Sequence, residues 1–421
     1  MNTRWFAAAL LVACAIALGV MFGCHSGKKP GEEYDPEPAI TVPDEDLKAL
    51  ADGNNAFALD LYKKFAEKHD GNLILSPYSI SSALAMTYAG TRGETAEQMK
   101  RTLHFTLPPE RLHLAFGGVT GSLHTAGKKR PYELCIANAL WAQQGIGFVP
   151  EFLDVTNRCY GSARREVNFG APEAARGTIN RWVEEQTRDR IKDLLKSQDI
   201  TPNVRLILTN AIYFKGTWKH QFSKERTFEG NFETGLGVKV KVWMMRHTDI
   251  KLRTYAGEAW QLLELPYEGE RLSMILLLPN ERCGLQKVAS RLTLTELENG
   301  LAQLQEQKLG VFLPRFKFES RAELGRTLSE LGMPLAFSAG DFSGITPRGG
   351  LQMADVIHGG SVEVDELGTT AAAATTVKTT RSAPPNFQAD HPFLFFLRDA
   401  KSGQILFVGR VSDPRQIGQT R

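Results

Sequence analysis

Cysteine is scarce in this chain, which has five cysteines among its 421 residues. Three of them, Cys135, Cys159 and Cys283, lie beyond the N-terminal segment, and they show neither C-x-x-C nor another spacing typical of a metal site. This excludes a fold held together by several disulfides. One bridge between Cys135 and Cys159 is compatible with the sequence, but buried free thiols are the favoured interpretation.

The chain also lacks an excess of charge of either sign. Lys and Arg number 50 against 47 Asp and Glu, so the formal net charge is +3. The short basic stretch KKRP at 128–131 is typical of a solvated loop. The sequence therefore does not favour nucleic acid as a partner. An apolar content of 42% and a charged content of 23% are those of a globular protein with a sizeable core.

Motifs of catalytic chemistry are missing. The chain has no G-x-S-x-G elbow, H-E-x-x-H pair, P-loop or Rossmann glycine run. His391 precedes Pro392, a setting typical of a structural histidine, and the glutamates of ELPYEGE at 264–270 fall on a strand and turn. The sequence thus indicates a protein that is not an enzyme and needs neither a metal nor a cofactor.

One long apolar run is present, and it follows Arg4. The run, WFAAALLVACAIALGVMFGC, is long enough for a signal peptide or a membrane span. Its end resembles a bacterial lipoprotein cleavage site, because the small residue Gly23 precedes Cys24, although Met21 stands where Leu is usual. We predict a lipoprotein signal peptide at 1–23 and lipid on Cys24. An uncleaved anchor or an ordinary secretion signal is the alternative.

The segment after the predicted cleavage site is rich in Pro, Gly and charge. Residues 24–46 are therefore predicted to be a flexible tether between a membrane and a folded body. His25 occupies the position where an aspartate would favour the inner membrane. We expect the protein to be exported and anchored to the cell envelope, more readily at the outer than at the inner membrane.

The rest of the chain alternates helical and β-rich stretches. Helical spacing of apolar residues or a helix-start signal is found at 55–69, 76–91 and 184–195. Runs rich in β-branched and aromatic residues, several of them apolar on both faces, are found at 133–143, 204–214, 260–267, 271–279, 308–320, 361–367, 391–399 and 405–414. This pattern predicts an α+β domain with a mainly antiparallel sheet.

Six stretches resemble the serpin family in order and spacing over residues 47–415: NLILSPYSISSALAMTYAGTRGETAEQM, LTNAIYFKGTWKHQF, LELPYEGERLSMILLLP, LPRFKFES, VEVDELGTTAAAAT and ADHPFLFFLRD. The resemblance implies three β-sheets, eight or nine helices and an exposed reactive loop at about 366–387, with a short tail at 416–421. It also implies a monomeric inhibitor that presents this loop to a protease and, once cleaved, inserts it into the largest sheet.

The composition of the loop fits such an insertion. Between residues 369 and 380 there is no glycine and no proline, and Lys378 is the one charge. In a strand, alternate residues share a face, so the face that begins with Thr369 is wholly small or apolar, whereas Lys378 falls on the other face. The resemblance assigns the hinge of insertion to one glutamate followed by small residues: Glu366, Gly368, Thr369, Thr370, Ala371, Ala372, Ala373 and Ala374.

The scissile bond is less constrained by the sequence. Counting the usual serpin loop length from Gly368 indicates Ser382-Ala383, and a loop one residue shorter indicates Arg381-Ser382. Arg381 offers the strongest specificity handle, a charge for an acidic primary pocket, so we predict Arg381-Ser382 and a trypsin-like serine protease. A cysteine protease with an arginine preference fits the same bond. Lys378-Thr379 is a third possibility, although it would leave a shorter segment to insert.

Two further sets of residues follow from the resemblance alone. Ser76, Ser79, Asn210 and His358 match the shutter, a polar cluster under the point where the central strands part; because buried polar groups must be paired, we expect His358 to bond to Asn210 or Ser76. Trp218, Arg315 and Glu366 match the breach, where the loop enters, and Arg315 should pair with Glu366. A serpin that binds or carries a ligand, or acts as a chaperone, without inhibition is the alternative function.

Overall fold

The computed structural model describes residues 40–123, 131–161, 163–368 and 385–415. Within these ranges there are nine α-helices. They are α1 (Asp44–Ala66), α2 (Pro77–Tyr88), α3 (Gly93–Thr102), α4 (Pro109–Leu123), α5 (Pro150–Tyr160), α6 (Pro172–Gln186), α7 (Leu285–Arg291), α8 (Leu294–Ala302) and α9 (Gly325–Leu331). None of the helices in this described part is long and apolar enough to cross a membrane.

The described ranges also hold fourteen strands. They are β1 (Leu73–Leu75), β2 (Tyr132–Gln143), β3 (Arg164–Val167), β4 (Leu206–Gly216), β5 (Phe228–Glu233), β6 (Lys239–Ala256), β7 (Trp260–Pro266), β8 (Leu272–Pro279), β9 (Gln305–Pro314), β10 (Phe316–Glu323), β11 (Met353–Val364), β12 (Asn386–Gln388), β13 (Phe393–Asp399) and β14 (Ile405–Val411). The α+β class predicted from the sequence is confirmed.

Hydrogen bonds join these strands into two networks. The smaller has the order β10-β11-β4-β2-β3, and the larger has the order β1-β14-β13-β8-β7-β6-β9-β12, with β5 paired to β6. The two ends of β6 serve different parts of the larger network, because residues 239–244 pair with β5 and residues 253–256 pair with β7. One long strand therefore links the group β5-β6-β9-β12 to the group that contains β7, β8, β13, β14 and β1.

The five-stranded sheet is buried on both faces. In β4, Leu208 and Ile212 point into the main core, which also contains α2 and the nine-stranded sheet, while Ile207 and Ala211 pack on the opposite face against α6. Such a strand has no polar side, which explains why the sequence LILTNAIYF is almost continuously apolar. The two polar residues within it, Thr209 and Asn210, are fully buried.

Several details of the predictions differ in the structure. The first helix begins at Asp44, before the predicted domain start at 47, because Pro43 is at its N-cap and three acidic residues occupy its first turn. The run 308–320 forms two strands rather than one, interrupted at Arg315. Cys135, Cys159 and Cys283 are all free thiols, but only Cys159 of these three is buried; Cys135 is partly buried and Cys283 is exposed.

The helix predicted at 184–195 is wrong beyond its first residues. α6 ends at Gln186, and Arg188, Asp189 and Asp193 have φ angles of 51°, 60° and 48°. These left-handed conformations break a helix. The hydroxyl of Thr187 accepts a hydrogen bond from the amide of Ile191 at 3.2 Å, which holds the chain in a turn. Residues 187–199 instead cross the surface of the five-stranded sheet.

Candidate functional site at the centre of the five-stranded sheet

The central strands β4 and β11 form a parallel pair, and we call the line between them the seam. Their ladder runs from Met353 opposite Leu206 to Ser361 opposite Tyr213, with β11 continuing to Val364 and β4 to Gly216. The outer neighbours β10 and β2 run antiparallel to them. A strand that entered the seam from the Ser361 end would find a backbone edge on each side, with donors and acceptors to pair.

The chain reverses direction immediately after β11. Asp365 and Gly368 form an isolated antiparallel bridge, in which the Gly368 amide donates to the Asp365 carbonyl at 3.2 Å. Gly368 has a φ of 96°, and a Cβ atom there would lie 2.4 Å from the Gly216 oxygen and 2.4 Å from the Trp218 nitrogen. Glycine is required both by backbone conformation and by this close approach. The predicted hinge thus begins beside the open end of the seam.

Trp218 fixes the position of this turn. Its indole Nε1 donates to the Asp365 carbonyl at 3.1 Å, and its backbone amide donates to the Leu367 carbonyl at 2.9 Å. The indole ring is buried and stacks on Tyr267, with 4.4 Å between the ring centroids. Both hydrogen bonds are made to the backbone of the turn, so the residues that lead into the predicted reactive loop are held in one place.

Glu366 and Arg315 form the ion pair expected from the sequence. The Arg315 Nε donates to Glu366 Oε1 at 2.7 Å, and the Thr227 hydroxyl donates to the same oxygen. The carboxylate is 1% exposed, whereas the guanidinium is 38% exposed. Burial alone would raise the pKa of Glu366, but the hydrogen bonds from Arg315 and Thr227 outweigh it and hold the pKa below its ordinary value. The carboxylate therefore stays charged at neutral pH.

A row of polar side chains crosses the seam on the face that α2 covers. Strand register places Asn138 of β2 opposite Asn210 of β4, and Asn210 opposite His358 of β11. The Nδ2 of Asn210 donates to Asn138 Oδ1 and to the Ser79 hydroxyl, and its Oδ1 accepts from His358. The Ser79 hydroxyl also donates to Asn138 Oδ1 at 2.7 Å. The side chains of three adjacent strands are thus joined to one helix.

The beginning of α2 completes this cluster. Ser76 is the N-cap of α2, and its hydroxyl accepts from the Ser79 amide at 3.3 Å and donates to the Leu406 carbonyl at 2.7 Å. The Ser76 amide donates to His358 Nε2 at 3.2 Å. Amides at the start of a helix have no partner within the helix: the Ser76 hydroxyl satisfies that of Ser79, and the Ser76 amide is available to His358. Helix α2 therefore supplies donors to a buried cluster that would otherwise contain unpaired acceptors.

His358 makes both of the contacts that the sequence suggested. Because the Ser76 amide is a donor, Nε2 must be the acceptor, and the ring proton is on Nδ1, where it faces Asn210 Oδ1. Burial lowers the pKa of His358 to about 3, since an imidazolium here would lose its water. A proton on Nε2 would also point directly at the Ser76 N–H. His358 is a neutral bridge across the seam.

The structure brings together every described residue that the sequence assigned to the shutter and the breach. Sequence reasoning missed Asn138 and Thr227, which bond to Asn210 and Glu366. Asn138 is a lone polar residue in the apolar strand sequence IANALWA, and that was the available signal. The other predicted site residues lie outside the described residues: Cys24, Thr369, Thr370, Ala371, Ala372, Ala373, Ala374, Lys378, Thr379, Arg381, Ser382 and Ala383. No cluster of three or more potential metal ligands occurs in the described part of the chain.

Comparison with known proteins agrees with this architecture. The family model of Serpin (serine protease inhibitor) matches residues 52–414. The human leukocyte elastase inhibitor is 41% identical over 382 residues, which cover 87% of this chain and 100% of that protein. A serpin-like protein of Thermococcus kodakarensis is 38% identical over 421 residues, with 96% and 97% of the two chains covered.

Solved structures match over a similar length. Human thyroxine-binding globulin has a TM-score of 0.81 at 28% identity, covering 88% of this chain and 100% of that one. Uncleaved ovalbumin has a TM-score of 0.79 at 27% identity, covering 87% and 100%. With a family match over most of its length and a seam bounded by the shutter and breach residues, the chain belongs to the serpin family, whose members are in general protease inhibitors and not enzymes.

Proposed function

We propose that this protein is a suicide-substrate inhibitor of a trypsin-like serine protease. The observation that carries the proposal is the position of Gly368, at the open end of a parallel seam and directly before a segment of small residues. The sequence after Gly368 is TTAAAATTVKTT. Because the bridge between Asp365 and Gly368 is antiparallel, the chain at Gly368 runs opposite to β11. A strand that continued in this direction would be antiparallel to both β4 and β11, the arrangement with the more stable hydrogen-bonded ladder.

The chemistry is supplied by the protease. Its serine attacks the carbonyl carbon of Arg381, the bond to the Ser382 nitrogen breaks, and the new amino terminus leaves as Arg381 remains esterified to the protease. Insertion of the freed segment then carries the acyl-enzyme away from the end of the sheet before water can reach the ester. This protein contributes no nucleophile, which is consistent with the missing catalytic motifs.

Energetics support insertion after cleavage. About a dozen inserted residues add ladder hydrogen bonds worth a net ~0.5 to 1.5 kcal/mol each, in addition to burial of Ala, Thr and Val side chains. Ordering a free segment costs ~1 to 2 kcal/mol per residue, so burial of these side chains must supply the difference. Cleavage should therefore raise the melting temperature, the reverse of what nicking does to an ordinary domain.

The primary specificity rests on Arg381. Its positive charge fits an acidic primary pocket. A protease with an apolar primary pocket would bind it poorly, because burying a charge without a partner costs several kcal/mol. Ser382-Ala383 would instead suit elastase-like or subtilisin-like enzymes. We place the protein in the cell envelope, attached by lipid on Cys24. The residues between Cys24 and α1 would be the tether, and a monomeric body would reach proteases outside the cytoplasm.

The proposal is tested with trypsin, elastase, subtilisin and an arginine-specific cysteine protease. Trypsin should form a complex that survives SDS, and the cleaved protein should melt at a higher temperature than the uncleaved protein. Thr369→Arg places an unpaired charge on the inward face where insertion begins, so this variant should be cut and should release active protease. Thr370→Arg, on the other face, is the matched control and should still form the complex.

Several outcomes would contradict the proposal. A parent protein that all four proteases cut without a stable complex would be a serpin without inhibitory function, a binding or carrier protein. Equal inhibition by Thr369→Arg and the parent would refute insertion as the mechanism. A stable complex with elastase but not with trypsin would retain the mechanism and move the scissile bond to Ser382-Ala383.

A further inference from the structure

The segment at 187–199, which connects α6 to the approach to β4, lies across the seam on the face opposite to His358. We call it the strap. It is part of the apolar cluster on the α6 face of the sheet, in which Ile191, Leu194 and Leu195 of the strap pack with residues of β2, β4 and β11. The strap therefore covers the place where a new strand would enter, and its attachments determine which strands it holds together.

The first half of the strap is attached to β2 and β4. Arg188 forms an ion pair with Glu133 of β2, and the guanidinium of Arg190 lies over the ring of Tyr213 of β4, 5.2 Å from its centroid. Further along the strap, Asn180 of α6 binds Leu195: its amide group donates to the Leu195 carbonyl at 3.0 Å and accepts from the Leu195 amide at 2.8 Å. All of these partners belong to one half of the sheet or to α6.

The second half of the strap is attached to β11 and β10. The side chains of Ile191 and Leu194 lie directly over Gly359, where an added Cβ would be 2.8 Å from Leu194 Cδ1. Arg321 of β10 donates from Nε to the Leu194 carbonyl at 2.7 Å and forms an ion pair with Asp199. The Asp199 side chain is 3% exposed and that of Arg321 24% exposed, so this ion pair is largely shielded from water.

The contacts occur in the order of the strands. Residue 188 contacts β2, residue 190 contacts β4, residues 191 and 194 contact β11, and residues 194 and 199 contact β10. The seam lies between the second and the third of these attachments. Admitting one strand moves the two halves of the sheet apart by about 4.8 Å, and a hydrogen bond of 2.7 Å does not survive such a displacement.

We propose that Arg321 is the positioning residue that controls the rate at which the seam opens, because it fastens the strap to the half of the sheet beyond the seam. Its bonds to Leu194 and Asp199 must break, or the strap must leave β2 and β4, before a strand can enter. Arg321 thereby sets the partition between trapping and release of the protease. Its effect on inhibition rests on the proposed function, but its effect on seam opening does not.

Lys317 provides a matched control. It lies on β10 on the same face as Arg321, and it forms an ion pair with Glu363 of β11 at 2.8 Å. Both residues of this pair are on one side of the seam, and both side chains are well exposed. Lys317→Met removes a cation and an ion pair from the same strand without removing a bond that spans the seam.

The experiment measures seam opening without a protease. A fluorescent synthetic peptide with the sequence of residues 369–380 is incubated with the purified uncleaved protein, and its incorporation is followed on native gels. Arg321→Met should incorporate the peptide at least about tenfold faster than the parent, since a hydrogen bond to a charged group contributes about that factor. Lys317→Met should match the parent, and Arg321→Lys, which keeps one donor, should lie between the two.

Two controls separate the alternatives. Arg321→Met leaves the buried Asp199 carboxylate without a cation, although the Lys196 amide still donates to it. The double variant Arg321→Met with Asp199→Asn tests whether this stranded charge causes the effect, and it should open as fast as the single variant. Equal incorporation rates for Arg321→Met, Lys317→Met and the parent, including no incorporation in any of them, would overturn the inference. Failure of the parent to form an SDS-stable complex with any of the four proteases would instead refute the proposed function, whatever the incorporation rates are.

Discussion

The neutral state of His358 makes the stability of the uncleaved protein depend on pH in a defined way. Burial lowers the pKa of His358 to about 3 in the folded protein, whereas an unfolded histidine has a pKa of about 6.5. Between these values the unfolded chain binds a proton that the folded chain does not. Stability is therefore lost as the pH falls below about 6.5, by up to ~1.4 kcal/mol per pH unit.

The magnitude follows from the two pKa values. Between pH 7.5 and pH 5.0 the penalty amounts to about 2 kcal/mol, because the unfolded histidine becomes protonated while the folded one stays neutral. At the unfolding entropy typical of a chain of this length, this corresponds to a decrease of roughly 2 to 3 °C in melting temperature. His358→Gln keeps a side chain that can donate and accept hydrogen bonds but does not titrate.

The assay compares melting temperatures of the uncleaved protein at the two pH values and one scan rate. The parent should lose about 2 kcal/mol more stability on acidification than His358→Gln, and contributions of the other titrating groups cancel in the difference. Equal losses in the parent and His358→Gln would refute the assignment of a buried neutral imidazole.

Three further predictions concern the loop, its hinge and the N-terminus. Arg381→Ala should abolish inhibition of trypsin and leave the fold intact, and N-terminal sequencing of the peptide released from the parent should begin at Ser382; a start at Ala383 or Thr379 would relocate the bond. Gly368→Ala should lower the free energy of unfolding by at least ~2 kcal/mol, because a Cβ would collide with the backbone at Gly216 and Trp218. Gly237 has a φ of 74° but lies in open space, so Gly237→Ala should show only the smaller effect of backbone conformation. Similar losses of stability at both positions would contradict the steric argument. Mass spectrometry of the mature protein should find lipid on Cys24, and an N-terminus that still carries residues 1–23 would exclude it.

Much of the fold was predictable because it depends on local pattern. The strands at 133–143, 204–214 and 260–267 are recognisable from continuous apolar character, and Ser76-Pro77 marks the start of α2. The strap was not predictable in this way. EEQTRDRIKDLL has helical composition, and it leaves the helix because residues of distant strands, Glu133 and Arg321 among them, bind it in another conformation. Tertiary contacts here override local propensity.

The site shows the same limit. The sequence indicated that His358 and Asn210 belong together, yet the partner Asn138 follows only from the register of β2 on β4. A shift of that register by one residue would turn Asn138 to the opposite face of the sheet. Glu366 gives a similar case, since its bond to Thr227 joins residues 139 positions apart. Such pairs depend on long-range geometry that no local pattern contains.

The seam is bridged from both faces at nearly the same height. His358 faces α2 and bonds to Asn210, and the adjacent residue Gly359 faces α6 and lies under the strap. Above this height the ladder between β4 and β11 ends at Ser361 and Tyr213, close to the turn that contains Gly368. An entering strand therefore meets an unpaired edge first and both bridges only after its first residues have been ordered. The hydrogen bonds and burial gained by those first residues then become available to offset the loss of the His358 and Arg321 bonds.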